Sequence, residues 1–263
     1  MKSIPKIVHQ IYWNFKKVGD PMPKSWALSS EKCRELYEQA GWEYRLWGKG
    51  DAYKLINDNF PWLRKKWMLS SNIEKVDILR YAIMYVYGGM YLDLDTECLK
   101  LYPVPEADII LGGTTLQKSI LSMFYGINNN VLLSKPNHPF WECILHRINT
   151  YSISDLLPSF IRISLHTGPY CLQSTYEKYP NKTGIIIEPE LSVSKTPDSS
   201  TYFIHDSTKS WVSIPDAIHL GVFIVVIPLL IKPSLCLRRY YLIFSCVFMG
   251  ILTFLLCRKS RST

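Results

Sequence analysis

The sequence predicts an α/β domain built on a central, mostly parallel sheet and followed by a C-terminal membrane anchor, and three observations carry that prediction. Apolar runs near 6–12, 43–47, 90–93 and 108–112 alternate with helical stretches near 24–40, 51–59, 73–87 and 137–149, the order expected of strands interleaved with covering helices. One of those strands ends in two carboxylates, Asp93 and Asp95. Near its end the chain carries an uncharged run of eighteen residues, Tyr240 to Cys257.

The elements follow in order. Ile7-Val8-His9-Gln10-Ile11 reads as an opening strand and Tyr44-Arg45-Leu46-Trp47 as a second. Between Ile73 and Tyr87, Val76, Leu79, Ile83 and Val86 form one apolar stripe at helical spacing, with Asp77 and Arg80 off the stripe as i,i+3 neighbours. Gly88-Gly89 ends that helix and permits a sharp turn into the strand Met90-Tyr91-Leu92-Asp93. Asp93 and Asp95 share one side of that strand, since alternate residues face the same way. Two carboxylates so placed repel each other, and a divalent cation with oxygen-rich partners relieves the repulsion. In open α/β sheets ligands bind beyond the carboxyl ends of the strands, where this pair falls. A lone D-x-D is also common as a solvated strand end, so its weight comes from context.

Helix, Gly-Gly turn and strand closing on D-x-D resemble the core of the glycosyltransferases that share a D-x-D sugar-binding motif with the yeast α-1,6-mannosyltransferases and the inositol-phosphoceramide mannosyltransferases. Other segments fall in that family's order: Ile4 to Trp13 is similar to its opening strand, Tyr44 to Trp47 to its second, and Asn128-Asn129-Asn130, His138-Pro139-Phe140 and Thr167-Gly168-Pro169 to later landmarks. His205-Asp206-Ser207-Thr208-Lys209-Ser210-Trp211 resembles its closing loop, although Val212 stands where a second His often follows the Trp. The family's opening strand has a Trp two residues after His-Gln; here Tyr12 takes that place and Trp13 comes next.

The resemblance implies a nucleotide-sugar-binding glycosyltransferase A-type fold and a membrane-anchored, metal-dependent, retaining transfer of a hexose, with mannose favoured. The donor is expected to be GDP-mannose or a UDP-sugar, and the acceptor a lipid or membrane-bound glycan such as inositol-phosphoceramide. By the same resemblance Asp93, Asp95 and His205 hold a divalent cation, Mn2+ or Mg2+. Asp77 and Arg80 lie near the donor's base or sugar, Tyr12 or Trp13 packs on the base, and Ser210 and Trp211 close over the diphosphate. Each role has a plainer counterpart. Asp77 and Arg80 also read as a surface ion pair, His205 as a loop residue, Trp211 as a core or membrane-interface aromatic, and Asn130, His138 and Thr167 as helix or turn caps. The reading from a different class is a catalytically silent binding or scaffold protein that keeps the fold.

Composition narrows the field. A chain of 263 residues with a 48% hydrophobic fraction can fill one large domain plus an appendage. The net charge of +8 is concentrated at the end: beyond Asp216 there is no acid, and six Lys and Arg leave +2 for everything before. A nearly neutral domain lacks the basic footprint of a nucleic-acid binder. The seven cysteines, Cys33, Cys98, Cys143, Cys171, Cys236, Cys246 and Cys257, are scattered and odd in number, suggesting neither a zinc site nor a disulfide framework.

These features divide the chain into a catalytic domain, 1–213, and an anchoring tail, 214–263. At 1.5 Å per residue the run 240–257 spans about 27 Å, close to the ~30 Å hydrocarbon core of a bilayer. The uncharged segment 217–231 is shorter and contains Pro228, which leaves open a second short span, an interfacial helix or a buried helix. No charged and apolar leader precedes Ile4, which taken literally favours the cytosol. The family resemblance favours a Golgi or other secretory membrane with a lumenal catalytic face. Asn181-Lys182-Thr183, an N-glycosylation acceptor in an expected loop between a helix and a strand, offers a test.

Overall fold

The computed structural model describes residues 3–14, 21–113, 126–152, 159–189, 191–193 and 201–205. Apart from residues 159–162 these belong to one compact unit, Met1–Ile153 with Ile163–Thr208; the other unit is Ser154–Arg162 with Lys209–Thr263. The segments expected to meet the membrane, 217–231 and 240–257, lie outside the described residues. Among the described residues no helix is long and apolar enough to cross a membrane.

The expected alternation of strands and helices is present. β1 (Ile7–Ile11), α1 (Lys24–Gln39), β2 (Glu43–Trp47), α2 (Lys49–Asn59), α3 (Arg64–Leu69), α4 (Asn72–Val86) and β3 (Gly89–Leu92) follow one another. After the short β4 (Thr96–Cys98) come β5 (Ile109–Gly113), β6 (Ile127–Ser134), α5 (Pro139–Thr150), α6 (Ser159–His166), α7 (Pro169–Lys178), β7 (Ile185–Pro189), β8 (Ser192–Val193) and β9 (Phe203–His205).

The main sheet has six strands in the order β2-β1-β3-β6-β5-β7. It is mixed and, as expected, mostly parallel, with β6 alone among its strands running the other way. β1 is parallel to β2 and β3, and β5 to β7, but β6 runs antiparallel to both β3 and β5 and joins the two halves. Side chains alternate across it. Tyr91, Ile109, Leu111 and Leu132 enter the core shared with α2, α4, α5 and α7, whereas Met90, Leu92, Ile110, Val131 and Leu133 face the opposite layer with Cys33 and Tyr37 of α1. That burial on both faces explains the unbroken apolar runs of the central strands.

α4 is buried over more than its predicted stripe, because Ile78, Tyr81, Ala82 and Met84 are also inside. Ser71 caps it, accepting from the Glu74 amide, while the Glu74 carboxylate accepts from the Ser71 amide. It stops at Tyr87, and Gly88 and Gly89 then take positive φ of 65° and 81°. A Cβ on Gly88 would stand 2.5 Å from the Ser134 carbonyl oxygen, and one on Gly89 2.5 Å from that of Ile7, so the close passage of this turn past β6 and β1 requires glycine at both positions.

Cys33 in the middle of α1 and Cys98 at the end of β4 form a disulfide, contrary to the expectation from their spacing. Only the fold brings these two, 65 residues apart in sequence, to a Cα separation of 5.1 Å.

Candidate active site

Gly88 leads into β3, which starts at Gly89 and delivers the acidic pair. His9 of β1 braces that start: Trp47 Nε1 donates to His9 Nδ1 at 3.1 Å, which leaves His9 Nε2 to donate to the Gly88 carbonyl at 3.1 Å. Burial, only partly offset by the Gly88 hydrogen bond and reinforced by the Arg45 charge, pushes His9 down to about 3, so its ring is neutral and fit for this pattern.

The acidic pair is not on a regular strand. β3 ends at Leu92, and Asp93-Leu94-Asp95 turns, with the Thr96 amide donating to the Asp93 carbonyl at 3.0 Å. The carboxylates still converge, through a turn in place of strand alternation. Beyond the turn β4 pairs antiparallel with β9, in a register that sets Thr96 opposite His205. His205 Nε2 thereby approaches Asp95 Oδ1 at 3.2 Å. One ligand atom each from Asp93, Asp95 and His205 lie within 4.8 Å of one another. Two carboxylate oxygens and an imidazole nitrogen, all partly exposed, form a donor set that can hold a divalent cation. The three expected metal ligands are thus brought together.

The pair is electrostatically unequal. Burial raises Asp93 above the usual carboxylate range, Arg80 works against that, and Asp95 adds to it. Arg80 NH1 lies 3.2 Å from Asp93 Oδ1, and the Tyr91 hydroxyl donates to the same carboxylate at 2.7 Å. For His205, burial alone would lower the pKa, but the hydrogen bond and charge of Asp95, with help from Asp93, offset it, and the imidazole ends up raised.

Asp77 and Arg80 are a buried i,i+3 pair, not a surface one. Arg80 NH2 meets Asp77 Oδ1 at 3.0 Å, and Arg80 NH1 donates to the Asn129 carbonyl at 2.6 Å. Asp77 also accepts from Asn129 Nδ2 at 3.0 Å and from the Thr167 hydroxyl at 2.9 Å. Burial nevertheless pushes Asp77 up to about 6. One guanidinium therefore bridges the carboxylate of α4 to the first carboxylate of the D-x-D. A buried ion pair broken on one side costs about 3–5 kcal/mol, which makes this network stringent.

The remaining expected residues separate. Tyr12 and Trp13 follow β1 at the sheet end where the D-x-D falls, but Tyr12 donates its hydroxyl to the Pro21 carbonyl at 3.1 Å while Trp13 packs on the core edge. Asn130 is not a cap: it lies in β6 and its carbonyl accepts from the Asp93 amide at 2.9 Å, whereas Thr167 closes the end of α6, its amide donating to the Ile163 carbonyl at 2.9 Å, and also serves Asp77. His138 is a cap, its Nδ1 accepting from the Phe140 amide. Ser210 and Trp211 lie outside the described residues. Sequence reasoning missed Asn129 and Tyr91 as partners of the acidic groups. The Asn128-Asn129-Asn130 run was the available signal, but it reads as loop-forming because asparagine is depleted in strands.

Residues 23–112 match the profile of the glycosyltransferase sugar-binding region containing a DXD motif. The chain is similar to inositol phosphoceramide mannosyltransferase 2 of Schizosaccharomyces pombe, with 32% identity over 67% of this chain and 47% of that one. It is also similar to a mannosyl phosphorylinositol ceramide synthase of Saccharomyces cerevisiae, with 33% identity over 67% of this chain and 42% of that one. The chain spans about half the length of the curated relatives it matches. Among solved structures it is similar to the PaToxG glycosyltransferase, at 15% identity and a TM-score of 0.45 over 68% of this chain and 71% of that one.

Proposed function

We propose that this chain, which carries the sugar-binding region of the DXD-motif glycosyltransferases over residues 23–112, is a metal-dependent retaining glycosyltransferase of the A-type fold that moves mannose from a nucleotide sugar to a lipid acceptor. The single observation that carries the reading is the convergence of Asp93, Asp95 and His205 at the carboxyl end of β3. The relatives' names favour mannose as the sugar and inositol-phosphoceramide as the acceptor; GDP-mannose as donor and a secretory membrane such as the Golgi as the location follow from the family resemblance.

A bound divalent cation would neutralise the charge that develops on the departing nucleoside diphosphate. Asp95 and His205 would supply its protein ligands most directly, because the charge of Asp93 is already shared with Arg80. Arg80 fixes Asp93 toward Asp77 and keeps two carboxylates tolerable at one site. Tyr12 and Trp13 border the same sheet end, where an aromatic face can receive the donor base. In the transfer, the acceptor hydroxyl oxygen bonds to the anomeric carbon on the face that the diphosphate leaves, the bond to the phosphate oxygen breaks, and the acceptor's proton passes to that oxygen. Ser210 and Trp211 are assigned to closing over the diphosphate, which excludes water that would otherwise take the sugar. The segment 240–257 is assigned as the membrane anchor of a domain whose catalytic face is lumenal.

Release of nucleoside diphosphate from a panel of nucleotide sugars, with Mn2+ and with a chelator, tests the reading. Metal-dependent release from one donor, increased by inositol-phosphoceramide, supports it. Absence of release with every donor would turn the choice to a silent binding protein.

A further inference from the structure

The segment Pro61 to Ser70 between α2 and α4 has an unusual division of side chains. Leu63 and Trp67 are buried and fix it to the core, whereas Trp62, Met68 and Leu69 stand in solvent, Leu69 at 77% exposure. Between them Arg64 and Lys65 are exposed and Lys66 half-buried. Neighbouring elements extend the same surface. Tyr53 of α2 accepts a contact from Arg64 at 3.4 Å and touches the Met68 sulfur at 3.9 Å, and Lys66 Nζ donates to the carbonyl of Tyr151, itself 55% exposed. Trp62 stacks on His146 of α5, ring centroids 4.1 Å apart. From Asn59 to Ile73 there is no acidic residue. Glu142, beside His146 at 3.9 Å, borders the patch, and Glu74 just beyond it is buried against His166.

Position gives the patch its meaning. α4 runs back from the start of β3, so its middle, where Arg80 meets Asp93, and the N-terminal turns beyond it lie toward the D-x-D end of the sheet. From Asp77 to Asn72 the helix extends about 8 Å further. The exposed end of α3 therefore lies at the end of the domain where the acidic site opens. His205, beside Asp95, lies at the same end.

We propose that Trp62, Arg64, Lys65, Lys66, Met68 and Leu69 form a membrane-docking face that rests on anionic lipid headgroups. The aromatic and apolar side chains enter the interface, and the three basic groups pair with lipid phosphates. Charge selects this occupant: an acid-free basic stretch carrying apolar side chains is complementary to an anionic bilayer, whereas a second copy would set like charge against like. Docking there would hold the acidic site against the membrane whether or not the sugar-transfer reading stands.

The test uses the full chain reconstituted into phosphatidylcholine vesicles with and without phosphatidylinositol, both carrying a photoactivatable lipid, with adducts mapped by mass spectrometry. Adducts on residues 61–69 that increase with phosphatidylinositol are expected. Replacing Arg64, Lys65 and Lys66 together by Gln should reduce them by roughly 100-fold, from the attraction each cation has for an anionic surface, without shifting the melting temperature. Adducts confined to residues outside 61–69, or adducts unaffected by the triple replacement, would overturn the proposal. So would cross-links joining this patch to another copy of the chain in place of lipid. Donor hydrolysis, measured in parallel without vesicles, reports on the sugar-transfer reading alone.

Discussion

Replacing Cys33 and Cys98 together by Ala removes a covalent tie between the middle of α1 and the strand that directly follows the D-x-D turn. The bridge closes a loop of 65 residues, and the loop-entropy relation assigns such a closure about 4 kcal/mol of destabilisation of the unfolded chain. For a domain of this size each kcal/mol shifts the melting temperature by about 2–4 °C, so the double variant should melt roughly 8–16 °C lower. Both sulfurs are buried, so the alanines leave little polar disturbance of their own. The effect should reach the site, because β4 pairs with β9 and their register is what brings His205 to Asp95. Thermal unfolding of wild type, reduced wild type and double variant, with Mn2+ affinity by calorimetry, reads both consequences. Alkylation of Cys33 and Cys98 in denatured but unreduced protein made in a secretory compartment would refute the reasoning, as would a double variant melting within about 2 °C of wild type.

Asp95→Asn should abolish Mn2+ binding and metal-dependent donor hydrolysis with little change in melting temperature, whereas Asp93→Asn should leave weaker but measurable binding, since Arg80 already compensates that carboxylate. Arg80→Met should cost about 3–5 kcal/mol of stability in chemical denaturation, because Asp77 and Asp93 lose their shared partner. Metal affinity should rise with pH through the elevated His205 pKa, since a proton on Nε2 must leave before that nitrogen can bind; in metal-free protein the same shift contributes stability below pH ~6.5 that is lost as pH rises through the folded-state value. In eukaryotic cells the chain should carry an oligosaccharide on Asn181, exposed between α7 and β7, detected as a mobility shift lost in Asn181→Gln; no shift, with the domain open to protease in sealed vesicles, would place the catalytic face in the cytosol.

The features that were legible in the sequence are local ones. Helix α4 is recoverable to within a residue because its apolar stripe is written at helical spacing, and β2 and α1 also fall within a residue or two of where the sequence places them. The Gly88-Gly89 turn is legible because nothing but glycine accepts its backbone. The strand β6 was not, since Ile127-Asn128-Asn129-Asn130 contradicts strand propensity and only the pairing with β3 and β5 overrides it. The disulfide was hidden for the same reason: its geometry belongs to the packing of α1 on β4 and not to the spacing of the cysteines.

Non-local contacts also decide what the acidic motif can do. Read as sequence, Asp93 and Asp95 are two equal carboxylates in one motif. In the fold, Asp93 receives a guanidinium from α4 and a hydroxyl from Tyr91, while Asp95 faces an imidazole brought by β9. A divalent cation approaching this site gains most from the carboxylate whose charge is least compensated. That carboxylate is Asp95, because a protonated His205 gives up its charge on binding metal while Arg80 cannot. On the proposed reading the asymmetry favours Asp95 over Asp93 as the stronger ligand of the cation, a distinction that the motif itself does not contain.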